Sequence, residues 1–121
     1  MEIIQIEKNG IVRVTVRGKT EAELTLEFKE VVKQIVEGDK RRLLIDLGAL
    51  EYLRSSVLRV ILKAVKEINQ NRGKVVLCCL NGYVKEIFEV NYLTNSIPIT
   101  ESVESGLNAL LASLKAALCR Q

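Results

Sequence analysis

Two short runs of nearly unbroken apolar residues, LLIDL at 43–47 and VVLCCL at 75–80, stand on either side of an amphipathic stretch, and this pattern constrains the fold most. A strand with one wet face alternates apolar and polar side chains. These runs do not alternate, as expected of strands covered on both faces. Between them Val57, Leu58, Ile61, Leu62, Val65 and Ile68 recur at helical spacing, with Arg59, Lys63, Lys66 and Glu67 outside the stripe. Gly73 is the expected stop of that helix. Strand, helix and strand in this order predict a parallel pair joined by a right-handed crossover.

The flanking segments extend the sheet. EIIQIE at 2–7 and IVRVTVR at 11–17 alternate, and Asn9-Gly10 between them tolerates the positive φ of a tight hairpin. Thr20-Glu21-Ala22-Glu23 matches a capping box. Leu24, Phe28, Val31, Val32 and Ile35 then share one helical face, and Gly38 is a plausible stop. The charged run Asp39-Lys40-Arg41-Arg42 reads as a solvated turn. Beyond the second buried run, Asn81-Gly82 turns the chain, 83–90 reads as a short helix, and SIPIT at 96–100 as an edge strand that tolerates Pro98. The last helix, 102–118, aligns Val103, Leu107, Leu110, Leu111, Leu114 and Leu118. Gly106 inside it costs about 1 kcal/mol against Ala. The leucine stripe is expected to pack on the sheet. The order β-β-α-β-α-β-α-β-α predicts a single α/β domain over residues 1–121. Its mixed sheet has about five strands, an N-terminal antiparallel hairpin followed by parallel strands linked by helices.

Composition narrows function by exclusion. The chain has no histidine, no CxxC, no GxGxxG or P-loop glycine pattern after a strand, and no GxSxG. The usual general base, metal ligand set, phosphate cradle and serine nucleophile are therefore not signalled. The expectation is a regulator and not an enzyme, with no cofactor and no metal. The net charge of +3, from 18 basic and 15 acidic residues, is small and scattered, which gives no electrostatic case for nucleic acid. Three tyrosines are too few for a base-stacking platform. No apolar run reaches the roughly 18–20 residues needed to cross a bilayer. MEIIQIEKNG lacks the basic, apolar and cleavage regions of a signal peptide, so a cytoplasmic location is expected. Cys78 and Cys79 lie within an apolar run, are expected to point to opposite faces, and read as small buried hydrophobes. With Cys119 they form no disulfide framework.

What remains is Arg54-Ser55-Ser56, where a buried strand and a short connector give way to a helix. A serine at a helix start most simply caps it by accepting a first-turn N–H. The same place favours an anion, through unpaired amides and the helix dipole. It also lies beyond the C-terminal end of a parallel strand, where open α/β sheets place their sites. A phosphoryl group on Ser55 would be tolerated by the helix and would add about −1.5 to −2 charges to the surface.

These residues bear a resemblance to the STAS family, the bacterial anti-sigma factor antagonists and their relatives. Asp46-Leu47-Gly48-Ala49-Leu50-Glu51-Tyr52-Leu53-Arg54-Ser55-Ser56-Val57-Leu58 is similar to the family stretch D-[LV]-[ST]-x-[LV]-x-[FY]-[LIM]-D-S-[ST]-G-L. Gly18 and Glu21 resemble its G-x-x-D after the second strand. Leu80-Asn81-Gly82, Val84, Phe88 and Tyr92-Leu93 resemble its later half. The resemblance implies that Ser55 is the phosphorylated serine, with Ser56 the alternative. It implies an anti-sigma factor that is also a serine kinase as partner, released by phosphorylation. It also implies a contact surface drawn from Thr20, Glu21, Tyr52, Leu53, Arg54, Ser55, Ser56, Val57 and Arg59. Arg54 stands where the family has Asp, and Val57 where it has Gly. Those departures leave a second expectation, a non-phosphorylated interaction or scaffold module with a divergent partner. Oligomeric state is not signalled.

Overall fold

The computed structural model describes residues 2–19, 22–38, 41–90 and 97–119. Strand β1 (Glu2–Lys8) turns through Asn9 and Gly10, with φ of 55° and 80°, into β2 (Ile11–Lys19). Two consecutive positive φ angles match the right-handed twist of the paired strands. The pair is antiparallel, with Gln5 opposite Val14. There follow α1 (Ala22–Glu37), β3 (Arg42–Tyr52), α2 (Ser55–Gln70), β4 (Lys74–Cys78), α3 (Gly82–Val90), β5 (Ile99–Thr100) and α4 (Val103–Cys119). The strands lie in the order β1-β2-β3-β4-β5, and every pair after the first is parallel. The expected mixed five-strand α/β sheet is thus present, with its elements in the expected order.

The two faces of the sheet carry different cores. Val12, Val14, Val16, Leu43, Ile45, Leu47 and Leu77 meet Phe28, Val32, Ile61, Ile68, Val84 and Phe88 from α1, α2 and α3. On the opposite face Ile11, Leu44, Val76 and Cys78 meet Leu110 of α4, flanked by Val103 and Leu107. Burial on both faces is why β3 and β4 carry no polar alternation. Among the described residues no helix is long and apolar enough to cross a membrane.

Several details differ from the sequence expectations. Gly48-Ala49-Leu50-Glu51-Tyr52 continues β3, where a connector was expected. It pairs with the end of β2, Gly18 opposite Leu50 and Lys19 opposite Tyr52, through two register shifts. Arg42 is not in a solvated turn. It opens β3, is buried, and donates from Nη2 to the Ser113 carbonyl of α4 at 3.4 Å. Arg41 supplies the preceding turn, donating to the Gly38 carbonyl at 2.6 Å; Asp39 and Lys40 lie outside the described residues. The capping box at Thr20 and Glu21, and Tyr92-Leu93, likewise lie outside them. At the end of α2 the left-handed residue is Arg72, φ 64°. Gly73 closes the helix by donating its N–H to the Ile68 carbonyl at 2.8 Å. A Cβ on Gly73 would strike the Arg41 carbonyl and the Ile68 side chain.

The two adjacent cysteines do not point to opposite faces. β4 ends at Cys78, and Cys79 takes a left-handed conformation, φ 66°. Side chains alternate only while the backbone stays extended. The turn at Cys79 brings both thiols to the same side, beside Asp46.

Candidate functional site at the C-terminal strand ends

The serine junction is built by the overrun of β3. Extended backbone continues past Tyr52, so the last non-helical residue is Arg54, φ −80° and ψ 149°, and this residue is the N-cap of α2. It makes no side-chain cap hydrogen bond. Neither serine occupies the cap, contrary to the simplest expectation. Ser55 is the first helical residue and Ser56 the second, and both are exposed. The helix's first bond runs from the Leu58 N–H to the Arg54 carbonyl at 3.0 Å. The amides of Ser55 and Val57 thus belong to the first turn, which has no acceptors within the helix.

Two buried side chains hold this turn. Leu53 is 5% exposed and Val57 1%, and both belong to the core shared with α1, α2 and α3. Leu53 and Val57 were expected on the contact surface; their burial instead makes them anchors that leave Arg54, Ser55 and Ser56 facing solvent. The valine at the family's glycine position is therefore absorbed by the core. The arginine at the family's aspartate position is a real change of surface charge. Arg59, one turn along α2, is also exposed.

The same end of the sheet carries an aromatic pair of which only Tyr52 was expected on the contact surface. Tyr52 at the end of β3 stacks on Tyr83 at the start of α3, with centroids 6.1 Å apart and rings 19° from parallel. They are 49% and 52% exposed. Large half-exposed aromatic surface of this kind is a common anchor in protein interfaces. Asn81 sets the pair. Its Oδ1 accepts the Val84 N–H at 2.8 Å, capping α3, and its Nδ2 donates to the Leu50 carbonyl of β3 at 3.0 Å. An Asn just before a helical run was the available signal for the cap, but the bond back to Leu50 depends on β3 running on. Thr20 and Glu21 lie outside the described residues. The strand before them is placed by register, with Lys19 opposite Tyr52.

Ser56 and Arg59 also border a groove of about 460 Å³ between α1 and α2. Its floor is Val32, Val36, Val60 and Ala64, and Leu26, 69% exposed, lies on its rim. The charged groups around it are Lys29, Lys33, Arg59 and Lys63 with Glu37 and Glu67, and Lys63 pairs with Glu67 at 3.9 Å.

Comparison with known proteins agrees with the fold. Residues 3–106 match the family described as the STAS domain. BtrV of Bordetella bronchiseptica, assigned as an anti-sigma factor antagonist, is 36% identical over 85 residues, which are 70% of this chain and 72% of that protein. A Thermotoga maritima structure, also assigned as an anti-sigma factor antagonist, superposes with a TM-score of 0.83 at 17% identity, covering 89% of this chain and 93% of that one. The Bacillus cell fate determinant SpoIIAA, solved in its phosphorylated form, gives 0.75 at 12% identity over 89% of this chain and 98% of its own. Its unphosphorylated form also gives 0.75, at 11% identity, over 92% of this chain and 98% of its own.

Proposed function

The chain belongs to the STAS domain family, and from that premise we propose that it is an anti-sigma factor antagonist switched by phosphorylation of Ser55. With Ser55 unmodified, the surface formed by Tyr52, Arg54, Ser55, Ser56 and Arg59, together with Thr20 and Glu21, docks an anti-sigma factor that is also a serine kinase. Docking releases the sigma factor held by that partner. The kinase then transfers the γ-phosphoryl group of ATP to the Ser55 hydroxyl, ADP leaves, the hydroxyl proton passes to solvent or a partner base, and the complex separates.

One observation carries this reading: the Ser55 side chain is exposed as the first residue of α2, between buried Leu53 and Val57. A kinase can reach it without unfolding the turn. The added charge, about −1.5 to −2, sits at the positive end of the helix and next to Arg54. The fold therefore accommodates the phosphate, and the cost falls on a partner packed flat against the site, through desolvation and lost contact. That SpoIIAA has been solved in phosphorylated and unphosphorylated forms supports such a cycle.

The exposed arginine at the family's aspartate position favours a second reading, an interaction or scaffold module that is not phosphorylated and has a divergent partner. One experiment separates the two. The protein is incubated with its kinase-type partner and ATP, and phosphorylation is mapped by mass spectrometry for wild type, Ser55→Ala and Ser56→Ala. Binding of Ser55→Ala and Ser55→Asp is measured alongside. The switch predicts modification lost only in Ser55→Ala, and at least a tenfold loss of affinity in Ser55→Asp, about 1.4 kcal/mol. Binding equal to wild type in both Ser55 variants, with no phosphate incorporated, assigns the scaffold role.

A further inference from the structure

We propose that Asp46, Cys78 and Cys79 form a binding site for one thiophilic divalent cation of the zinc class, on the sheet face covered by α4. Asp46 on β3 lies directly opposite Cys78 on β4. The left-handed backbone at Cys79 folds the second thiol back toward the first. Both sulfur atoms and a carboxylate oxygen then lie within 4.8 Å of one another. A tetrahedral zinc ion, with bonds of about 2.3 Å to sulfur and 2.0–2.2 Å to oxygen, holds such ligand atoms roughly 3.5–3.8 Å apart. The cluster needs only a small contraction to reach that spacing.

The surroundings fit the same occupant. Gly48 stands where a Cβ would come within 2.9 Å of the Cys79 Cβ and 3.2 Å of Asp46 Oδ1, so its missing side chain keeps the cluster open. Its N–H donates to Asp46 Oδ1 at 2.9 Å and fixes the carboxylate, a second layer of the kind that orients metal ligands. The Cys79 N–H, bonded to the Thr100 carbonyl at 3.2 Å, ties the turn to β5. Charge also balances. Two thiolates and one carboxylate are met by the divalent cation together with Arg13, whose guanidinium lies 3.6 Å from Asp46 Oδ2. A neutral sum is what a largely buried cluster requires. Three protein ligands leave the fourth position to water, reached from the side of the partly exposed Cys79. The spacing rules for zinc motifs do not include adjacent cysteines, because on a regular strand such a pair diverges.

Cobalt(II) serves as the spectroscopic probe and zinc(II) as the affinity probe, in a Cys119→Ser background that removes the third thiol. Cobalt is expected to bind one to one with tetrahedral visible bands and near-ultraviolet thiolate charge transfer. Zinc is expected to displace it. Cys79→Ser, at a partly exposed position, is expected to lose about half of the charge-transfer intensity and to bind zinc at least tenfold more weakly. Asp46→Asn is expected to weaken zinc while leaving the charge-transfer band. X-ray absorption of the zinc-loaded Cys119→Ser protein should show two sulfur neighbours, a result that does not depend on how the other variants fold. Cobalt spectra without thiolate charge transfer, zinc affinity unchanged in Cys79→Ser, or a zinc shell without sulfur would each overturn the site.

Discussion

Arg54 and Val57 stand three residues apart at two of the positions where the chain departs from its family's motif, and they face opposite environments. Val57 is sealed in the core, whereas Arg54 caps the helix with its side chain in solvent. The two departures should therefore separate experimentally. Val57→Gly, which restores the family residue, removes a buried side chain and puts glycine in the first turn of α2. It should destabilise the protein by about 3 kcal/mol in urea unfolding. Arg54→Asp, the other restoration, puts a capping carboxylate at the N-cap of α2 and removes a positive charge from the helix start, so it should raise stability by about 1 kcal/mol and also change partner affinity with a marked salt dependence. The sequence contained part of this distinction. Val57 falls on the apolar stripe with Ile61 and Ile68, which assigns it to the core, but the motif also assigned it to the contact surface. Helical period decides between the two, because a residue on the buried stripe has no exposed side chain to offer. The cap was less legible, since the preference for serine at that position yields to a strand that runs to Tyr52 and to extended backbone at Arg54.

At the level of elements, hydrophobic period and turn chemistry were enough to order all nine, and the hairpin formed at Asn9-Gly10 as its residues require. Local pattern failed where an element is held by its neighbours. Residues 48–52 include a glycine and a glutamate and bury only Leu50, so nothing in them signals a strand. They are extended because the end of β2 offers them a ladder. Cys79 was missed for the converse reason, an apolar residue in an apolar run that nonetheless leaves the strand. Gly106 shows the same override inside α4. Helix propensity alone expects Gly106→Ala to stabilise by about 1 kcal/mol. In the structure a Cβ there would come within 2.6 Å of the Leu44 Cδ1 and 3.0 Å of the Thr100 Oγ1. Leu44 is fully buried and cannot move aside freely. Overpacking of this kind costs about 1–3 kcal/mol, so the variant should be less stable than wild type by about 1 kcal/mol net. A gain in stability on chemical denaturation would show that α4 rides loosely enough on the sheet to accept the methyl group.

Across the whole molecule the proposed switch is placed where it can act without disturbing the fold. The larger core joins α1, α2 and α3 to the sheet, and Leu53 and Val57 bind the serine junction into it. Ser55 lies outside that packing, and no buried group must move when its charge changes. The helix start further favours negative charge by about 0.3–1 kcal/mol when exposed. A switch built this way should alter recognition while leaving folding stability level or slightly raised. Ser55→Glu, measured by urea unfolding, should therefore match wild type or exceed it by up to about 1 kcal/mol, with an unchanged m-value, while losing the partner. Salt should shrink the stability gain, because the dipole interaction at an exposed terminus is screened. A loss of more than about 1 kcal/mol, or a changed m-value, would instead mean that modification loosens the anchored turn, and the switch would then be conformational.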